Sequence, residues 1–512
     1  MIAPTFEHGV SLRQLFPHSR IFGGQDIRVQ SCCSDPRECQ PGDLFAALEC
    51  AEFDGHHHSK EAIENGAKAV LSERLLPMDA PQCLVKDTRL AFGQLCQALA
   101  GNPCQRMRTI GVTGTHGKTC VSMLLNAIFK AAKMRPGSLT SLAYDDAFDR
   151  SEALPNSTPP PPLLADWLAR MSANGCGAAI LEASSQALAE RDLAGVELDG
   201  AILTNLRRDH LNLHNSATAY RKVKARLLEH LKPGGFAVVN ADDPGSQTLL
   251  PKIEQPTITI GMKNPAELTA TIVQRFPGEQ IFLLHAGHET AAVRTRMLGD
   301  QHIYNCLSAA AAALVMGVDL PTIARGLSAV ESLPGRMESL ACGQPFGVYV
   351  DSARTPDALA MILKDIRNTV SGKIYCVYGA DGDSDPSIRP LLGRAAERFS
   401  QQTVITNDSP RWEEPLHVVH DLLDGYRRPE AARIMVNRRE AIHWALSEAG
   451  PNDAVLITGR GDQTQQVIDG REIAFDDREV AKQWLWEVGA KIEYEPLARP
   501  SSLRKLSLKL VN

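Results

Sequence analysis

The sequence predicts an α/β protein of three domains: a small N-terminal α/β unit, a central unit with a mostly parallel sheet, and a C-terminal Rossmann-like α/β unit. Three observations carry this. The 512 residues exceed one ordinary core, and about 150 residues per domain gives about three. From residue 106 onward, short apolar runs alternate with helix-length segments, the pattern of strands and helices layered on a parallel sheet. Gly/Asp-rich turns close several of those runs, and ligands of open α/β sheets gather at such carboxyl ends.

Residues 1–105 form the first expected domain. Pro41-Gly42-Asp43 is a turn before a buried strand at 44–48, and a second strand follows Gly66. A helical stretch around 90–99 stops at Gly101-Asn102-Pro103, a plausible linker. The second domain spans 106–336, with strands at 110–112, 178–181, 200–204 and 235–239. Four prolines at 159–162 precede a helix at 163–171. The third spans 337–512, with strands at 348–350, 374–378, 403–405 and 454–457 and a short basic tail.

Within the central domain, residues 109–130 hold the densest signal. Ile110 and Val112 enter a glycine-rich turn, and a helix-forming run leaves it. A strand, a glycine loop and a helix N-terminus in that order bind nucleotide phosphates, because glycines turn backbone N–H groups inward onto phosphate oxygens. Gly111, Gly114 and Gly117 are the expected glycines, with Thr115 and His116 between them. Lys118 would neutralise the β/γ-phosphates and the Thr119 hydroxyl would face Mg²⁺. The strict motif fails by one place, since Val112 stands where a glycine is usual. A plain surface turn ending in Lys-Thr is the weaker reading, and the central domain is expected to be a P-loop ATPase.

Glu182 follows an apolar run directly, where a carboxylate beside a phosphate loop serves as a Mg²⁺ ligand. Thr204-Asn205-Leu206-Arg207-Arg208-Asp209-His210-Leu211 again follows a strand, and His210 is a candidate ligand for a second metal ion. Taken alone, a single His near a turn is more often structural. Residues 220–228 read as a helix carrying Lys222, Lys224 and Arg226, ordinarily a solvated face.

A net charge of −6 offers no footprint for nucleic acid or anionic membranes. No apolar run approaches the ~20 residues that span a bilayer, and the first residues lack the pattern of an export signal, so a cytoplasmic protein is expected. The twelve cysteines are scattered and include no Cys-x-x-Cys pair. They are expected to act as small buried hydrophobes in a reducing compartment. Cys32, Cys33 and Cys39 near His56, His57 and His58 lack finger-like spacing, so zinc is not expected there. Nothing argues for an obligate assembly, and a monomer is plausible.

Together these motifs resemble the Mur ligase family, and most closely its UDP-N-acetylmuramoyl-tripeptide synthetases (MurE type). The resemblance covers nearly the whole chain. It rests on Gly-Val-Thr-Gly-Thr-His-Gly-Lys-Thr (111–119), Glu-Ala-Ser-Ser (182–185), the run at 204–211, Leu-Pro-Gly-Arg-Met-Glu (333–338) and Asp-Ser-Pro-Arg-Trp-Glu (408–413). The family implies an N-terminal domain gripping a UDP-sugar, a central ATPase, and a C-terminal domain bringing an amino acid. It also implies ATP, two Mg²⁺ ions, a UDP-MurNAc-dipeptide and a diamino acid. By resemblance Thr119 and Glu182 hold one metal, His210 helps hold another, and Lys224 is a carbamylated lysine. Asn305, Arg336 and Asp351 match nucleotide contacts. Asp35, Asn156, Ser157, Thr158 and Ser184 match contacts to the UDP-sugar-peptide, and Asp408, Ser409, Arg411, Gly459 and Gln463 lie at the amino-acid site.

Several positions depart from the family pattern. Asp192 stands where an Arg holds the anionic substrate, with Arg191 adjacent as a one-residue replacement, and Pro36 replaces a Ser between Asp35 and Arg37. Ser352 and Arg354 replace a Tyr and a His. Ser384 replaces an Arg, Ser409 an Asn, and Gln463 a Glu that would bind a distal ammonium. Arg411 is kept, which suits the distal carboxylate of meso-diaminopimelate. Losing one charge-assisted contact costs about 1.5–3 kcal/mol, roughly ten- to a hundredfold in affinity. The expected activity is addition of a diamino acid, meso-diaminopimelate by default, to UDP-MurNAc-L-Ala-D-Glu through an acyl phosphate. A ligase with another amine or acyl acceptor, and a nucleotide-binding protein that no longer ligates, are the alternatives.

Overall fold

The computed structural model describes residues 9–50, 53–154, 157–207, 216–276, 278–382 and 384–489. Expectations at Asn156, His210 and the basic tail lie outside these residues. The chain divides into two compact units: one of Met1–Arg275, Gln280–Thr295 and Asp300–Glu331, the other of Phe276–Glu279, Arg296–Gly299 and Ser332–Asn512.

The first unit carries two principal sheets. The smaller runs in the order Arg20–Phe22, Gln82–Leu84, Ala69–Ser72, Leu44–Ala46, Cys32–Cys33, parallel except at its first pair. Leu44, Ala46, Ala69 and Leu71 form one core with Phe92 and Leu95 of the helix Thr88–Leu99. That helix starts where Asp87 accepts from the Leu90 N–H, satisfying an end donor that has no partner inside the helix.

The larger sheet has eleven strands among the described residues. From Pro136–Leu139 through Ala178–Glu182, Arg108–Thr113, Leu198–Leu203, Leu231–Asn240 and Thr257–Gly261 to Leu268–Phe276, neighbours run parallel, as expected. Alternate residues serve opposite cores. Ile180, Ile202 and Val238 pack with Leu124 and Ile128, whereas Leu181, Leu203 and Val239 pack with Trp167 and Met171. A sheet buried on both faces needs such continuous apolar strands. Gly111 lies inside the strand, not in the phosphate loop where the sequence placed it. A side chain there would press on Leu198 and Leu227, so this glycine serves sheet packing. The helix after the proline run spans Pro161–Ala173, with Pro161 and Pro162 in its first turn, where a missing N–H costs nothing.

The second unit holds a six-stranded sheet in the order Glu338–Ser339, Gly347–Asp351, Ala454–Thr458, Ile374–Tyr378, Gln402–Ile405, Ala432–Ile434. All but the first pair are parallel. The carboxyl ends of its parallel strands therefore share one edge, and the turns after Asp351, Tyr378, Ile405 and Thr458 converge there. This is the expected Rossmann-like unit. Among the described residues no helix is long and apolar enough to cross a membrane.

The cysteines depart from the expected buried, unpaired state in two ways: Cys50 is exposed and Cys32 and Cys342 are only partly buried, and one pair is bonded. Cys33 and Cys39 are joined as a disulfide, because a 3₁₀ turn at Pro36–Glu38 folds the six-residue interval back on itself. Cys32 lies 3.7 Å from Cys96 across the small core, and among the described residues no group of three or more His, Cys, Asp or Glu side chains is placed to hold a metal ion.

Candidate active site

The strand Arg108–Thr113 delivers the phosphate loop, and the helix Lys118–Ala131 leaves it. Gly117 caps the helix at φ +85°, and a Cβ there would collide with Asn305 Oδ1. Thus Asn305, on the helix Asp300–Val315, is brought against the loop it was expected to join. At Gly114 a Cβ would collide with Thr204 Oγ1. The loop is pinned from the neighbouring strand end. Thr115 N–H donates to Asn205 O at 3.0 Å and His116 N–H to Asn205 Oδ1 at 3.0 Å, while Thr204 Oγ1 and Asn205 Nδ2 donate to His116 O at 2.6 and 2.9 Å.

Two ammonium groups meet under the loop. Lys118 Nζ and Lys224 Nζ both donate to Gly114 O, at 3.2 and 2.8 Å. Lys224 is 1% exposed and lies 4.6 Å from the centre of the Tyr220 ring. It belongs to the helix Ala217–Ala225, which passes into a 3₁₀ turn at Arg226–His230 rather than continuing as one helix to residue 228.

Glu182 ends its strand and is 1% exposed. Its Oε2 accepts the Ser141 N–H at 2.9 Å, whereas Oε1 is buried with no hydrogen-bond partner. The Ser141 and Thr119 hydroxyls lie 2.9 Å apart. A carboxylate oxygen and hydroxyls beside a phosphate loop are the hard-oxygen set that Mg²⁺ takes. Ser141 and Asn205 were given no role from sequence. Both sit in turns, where Ser and Asn ordinarily serve the backbone, and only the packing of three strand ends shows their use.

The expected sugar-peptide residues adjoin Glu182. Thr158 Oγ1 donates to Glu182 O at 2.8 Å and accepts the Ser184 N–H at 3.0 Å; Ser157 is buried beside it with φ +55°. Ser184 Oγ caps the next helix by accepting the Ala187 N–H. Arg191 takes its charge to Asp87, 2.9 Å away. Burial, with Glu190 nearby, pushes the Asp192 carboxyl up to about 7 against the pull of Arg89. Asp35 is bound by Arg37 at 2.6 and 3.0 Å, which holds its carboxyl down at about 2. Both line a cavity of about 480 Å³ with Phe53, His58 and Glu61.

In the second unit Asp351 is buried and accepts the Met337 and Ala353 N–H groups, each at 2.7 Å. Burial raises its carboxyl to about 6, opposed by Arg336 and those N–H groups. Arg336 lies 3.7 Å from Asp462. The residues expected at the amino-acid site gather at the shared strand edge. Arg411 Nε donates to Asp381 at 2.8 Å, and Ser384 Oγ donates to Asp381 O at 2.6 Å. Asp408 is fully buried against Gly459, its two carboxylate oxygens without hydrogen bonds, and Arg460 and Arg354 stand 3.6 and 3.8 Å away. One pair of departures from the expected pattern touches: Arg354 donates to Gln463 Oε1 at 2.6 Å. Arg460 donates to Ser409 Oγ at 3.0 Å.

Family models described as the Mur ligase family catalytic domain, the Mur ligase middle domain, and the Mur ligase glutamate ligase domain match residues 28–98, 112–313 and 335–461. A UDP-N-acetylmuramoyl-L-alanyl-D-glutamate–2,6-diaminopimelate ligase of Geobacillus kaustophilus (strain HTA426) is 37% identical, over 89% of this chain and 94% of that protein. One of the same name from Parabacteroides distasonis is 33% identical over 90% and 96%. A solved structure of a ligase so named superposes with a TM-score of 0.70 at 27% identity, covering 94% of this chain and 99% of that one. MurF from Acinetobacter baumannii shares the fold, with a TM-score of 0.60 at 20% identity, covering 88% and 94%. With the phosphate loop, the strand-end carboxylate and three matched regions in order, the chain belongs to the Mur ligase family.

Proposed function

We propose that the protein is an ATP-dependent amide ligase that adds a diamino acid, by default meso-diaminopimelate, to UDP-MurNAc-L-Ala-D-Glu during peptidoglycan-precursor synthesis. The observation that carries this reading is the Glu182 carboxylate oxygen, buried without a partner beside Thr119 and Ser141 and next to a loop on whose Gly114 carbonyl two lysines converge. A substrate carboxylate and a γ-phosphate repel, so positive charge must be in place before attack. Lys118 supplies it at the loop. Thr119 and Glu182 would hold Mg²⁺, which neutralises phosphate oxygens when bound, with His210 assigned to a second ion. Lys224 is assigned as the carbamylated lysine. Carbamylation turns one of two crowded ammonium groups into an anion, which suits a buried position beside Lys118.

Residues 1–105 are assigned to the UDP-sugar, with Asp35 at the 480 Å³ cavity. Residues 106–336 are assigned to ATP and the dipeptide end, through Thr115, His116, Asn305, Asn156, Ser157, Thr158 and Ser184. Residues 337–512 are assigned to the amine, with Arg336 and Asp351 on the nucleotide. The dipeptide's terminal carboxylate takes the γ-phosphoryl group of ATP and ADP leaves; the amine attacks the resulting acyl phosphate, the tetrahedral adduct expels phosphate, and the amine proton leaves with it to yield the amide. A cytoplasmic monomer fits this role.

The test is phosphate release from ATP with UDP-MurNAc-L-Ala-D-Glu and meso-diaminopimelate. Release that needs all three, with an amide product, is expected. Silence with ATP bound would overturn the reading.

A further inference from the structure

The phosphate loop bends at two glycines, Gly114 at φ +154° and Gly117 at φ +85°. Backbone of this kind is open to glycine and strained for other residues. Thr115 and His116 lie between the two hinges, so nothing in the loop's own sterics fixes the peptide plane that joins His116 to Gly117. Its orientation matters. In a trans peptide the carbonyl and the next N–H point in opposite directions. One orientation offers the Gly117 N–H to an anion, and a half-turn would offer the His116 oxygen, which repels phosphate.

The end of the neighbouring strand removes that freedom. His116 O accepts from Thr204 Oγ1 at 2.6 Å and from Asn205 Nδ2 at 2.9 Å. Asn205 Oδ1 accepts the His116 N–H at 3.0 Å, and Asn205 O accepts the Thr115 N–H at 3.0 Å. The Asn205 side chain thus pairs with both backbone groups of His116, as a strand neighbour's backbone would. Thr204 and Asn205 are each 2% exposed. Hydrogen bonds so sheltered from water hold their geometry more firmly than exposed ones. With the Thr115 and His116 N–H groups turned to the strand end, phosphate is met by the N–H dipoles of Gly117 and of the helix start.

Resting on the ATP-binding ligase reading above, we propose that Asn205 is a positioning residue for phosphoryl transfer. With Thr204 it locks the His116–Gly117 peptide so that the carbonyl faces the strand end and the N–H faces the nucleotide phosphates. It acts through the backbone of the loop.

The experiment uses the full chain and three variants. Asn205→Ala removes the paired amide, Thr204→Val removes the second donor at nearly constant volume, and Thr204→Ser keeps the hydroxyl. ATP affinity with Mg²⁺ is read by calorimetry, and steady-state constants with UDP-MurNAc-L-Ala-D-Glu and meso-diaminopimelate. Asn205→Ala should weaken ATP binding and raise the KM for ATP by about tenfold or more, with the KM for UDP-MurNAc-L-Ala-D-Glu kept within about twofold. Thr204→Val should weaken ATP binding by about fivefold, and Thr204→Ser should restore it. A merely structural role would lower the melting temperature and leave the KM for ATP where it was. Unchanged ATP affinity in Asn205→Ala and Thr204→Val, or equal rises in both KM values, overturns the proposal. Should Asn205→Ala fail to fold, the comparison of Thr204→Val with Thr204→Ser decides. Hydroxylamine trapping of the acyl phosphate tests the ligase reading separately. If that trapping fails, the ATP affinities of the variants still decide the proposal, and a wild type that binds no ATP overturns it.

Discussion

Asp192 is a carboxyl group that burial makes costly to ionise, with a titration point raised from 3.8 to about 7. A raised acid contributes stability that is fully present below its unfolded value and is lost as pH climbs through the folded one. The loss therefore runs from about pH 4 to about pH 7 and is complete at pH 8. Asp192→Asn should leave the melting temperature nearly unchanged at pH 4 and raise stability at pH 8 by up to about 4 kcal/mol, read by thermal melts across that range. Glu182→Gln keeps the shape but removes the charge from a buried carboxylate whose Oε1 has no hydrogen-bond partner. It should lower kcat by about 10²–10³-fold while leaving the fold intact by circular dichroism. Lys224→Ala should be inactive and partly rescued by short-chain carboxylic acids that replace a carbamate. The placement of Lys118, Thr119 and Glu182 beside one loop was legible from strand, loop and helix order. Lys224 was legible only through the family, since lysine on a helix reads as solvated, whereas here it is 1% exposed.

At the scale of elements, most candidate site residues sit at or beside the turns joining strands to helices, which are also where the sequence was least legible. Apolar runs show a strand directly. They do not show that Asn205, at the end of one strand, clamps the loop at the end of the next through His116 and Thr115. Nor do they show that Arg354 and Gln463, 109 residues apart, are partners. Ser409, where an Asn was expected, has a partner that the sequence did not show: the buried Arg460 guanidinium donates to its hydroxyl and to the carbonyls of Gln465 and Phe475. Coupled replacements should be non-additive. Arg460→Lys and Ser409→Asn should each destabilise, and the double variant should recover about 1 kcal/mol relative to their sum in denaturant unfolding. At the phosphate loop, Gly117→Ala meets both a left-handed φ and Asn305, so ATP affinity should fall by tenfold or more, measured by calorimetry.

The whole molecule divides into two units, and the phosphate loop, Glu182 and Lys224 all belong to the first. A non-hydrolysable ATP analogue at about 100 times its dissociation constant should stabilise the unit that binds it by about 2.7 kcal/mol. Differential scanning calorimetry should show that gain in the transition of the first unit, and Lys118→Ala should abolish it. The expected sheet classes of both units were legible because strands buried on two faces must be apolar throughout. The order of strands was not, and it matters during synthesis. Ala454–Thr458 lies between Gly347–Asp351 and Ile374–Tyr378, although it is made long after both. At the ribosome's pace of about 5–20 residues per second, the intervening stretch of roughly 80 residues leaves those two strands with bare hydrogen-bonding edges for several seconds. The second unit is thus open to edge-to-edge association for as long as its middle strand is still being translated.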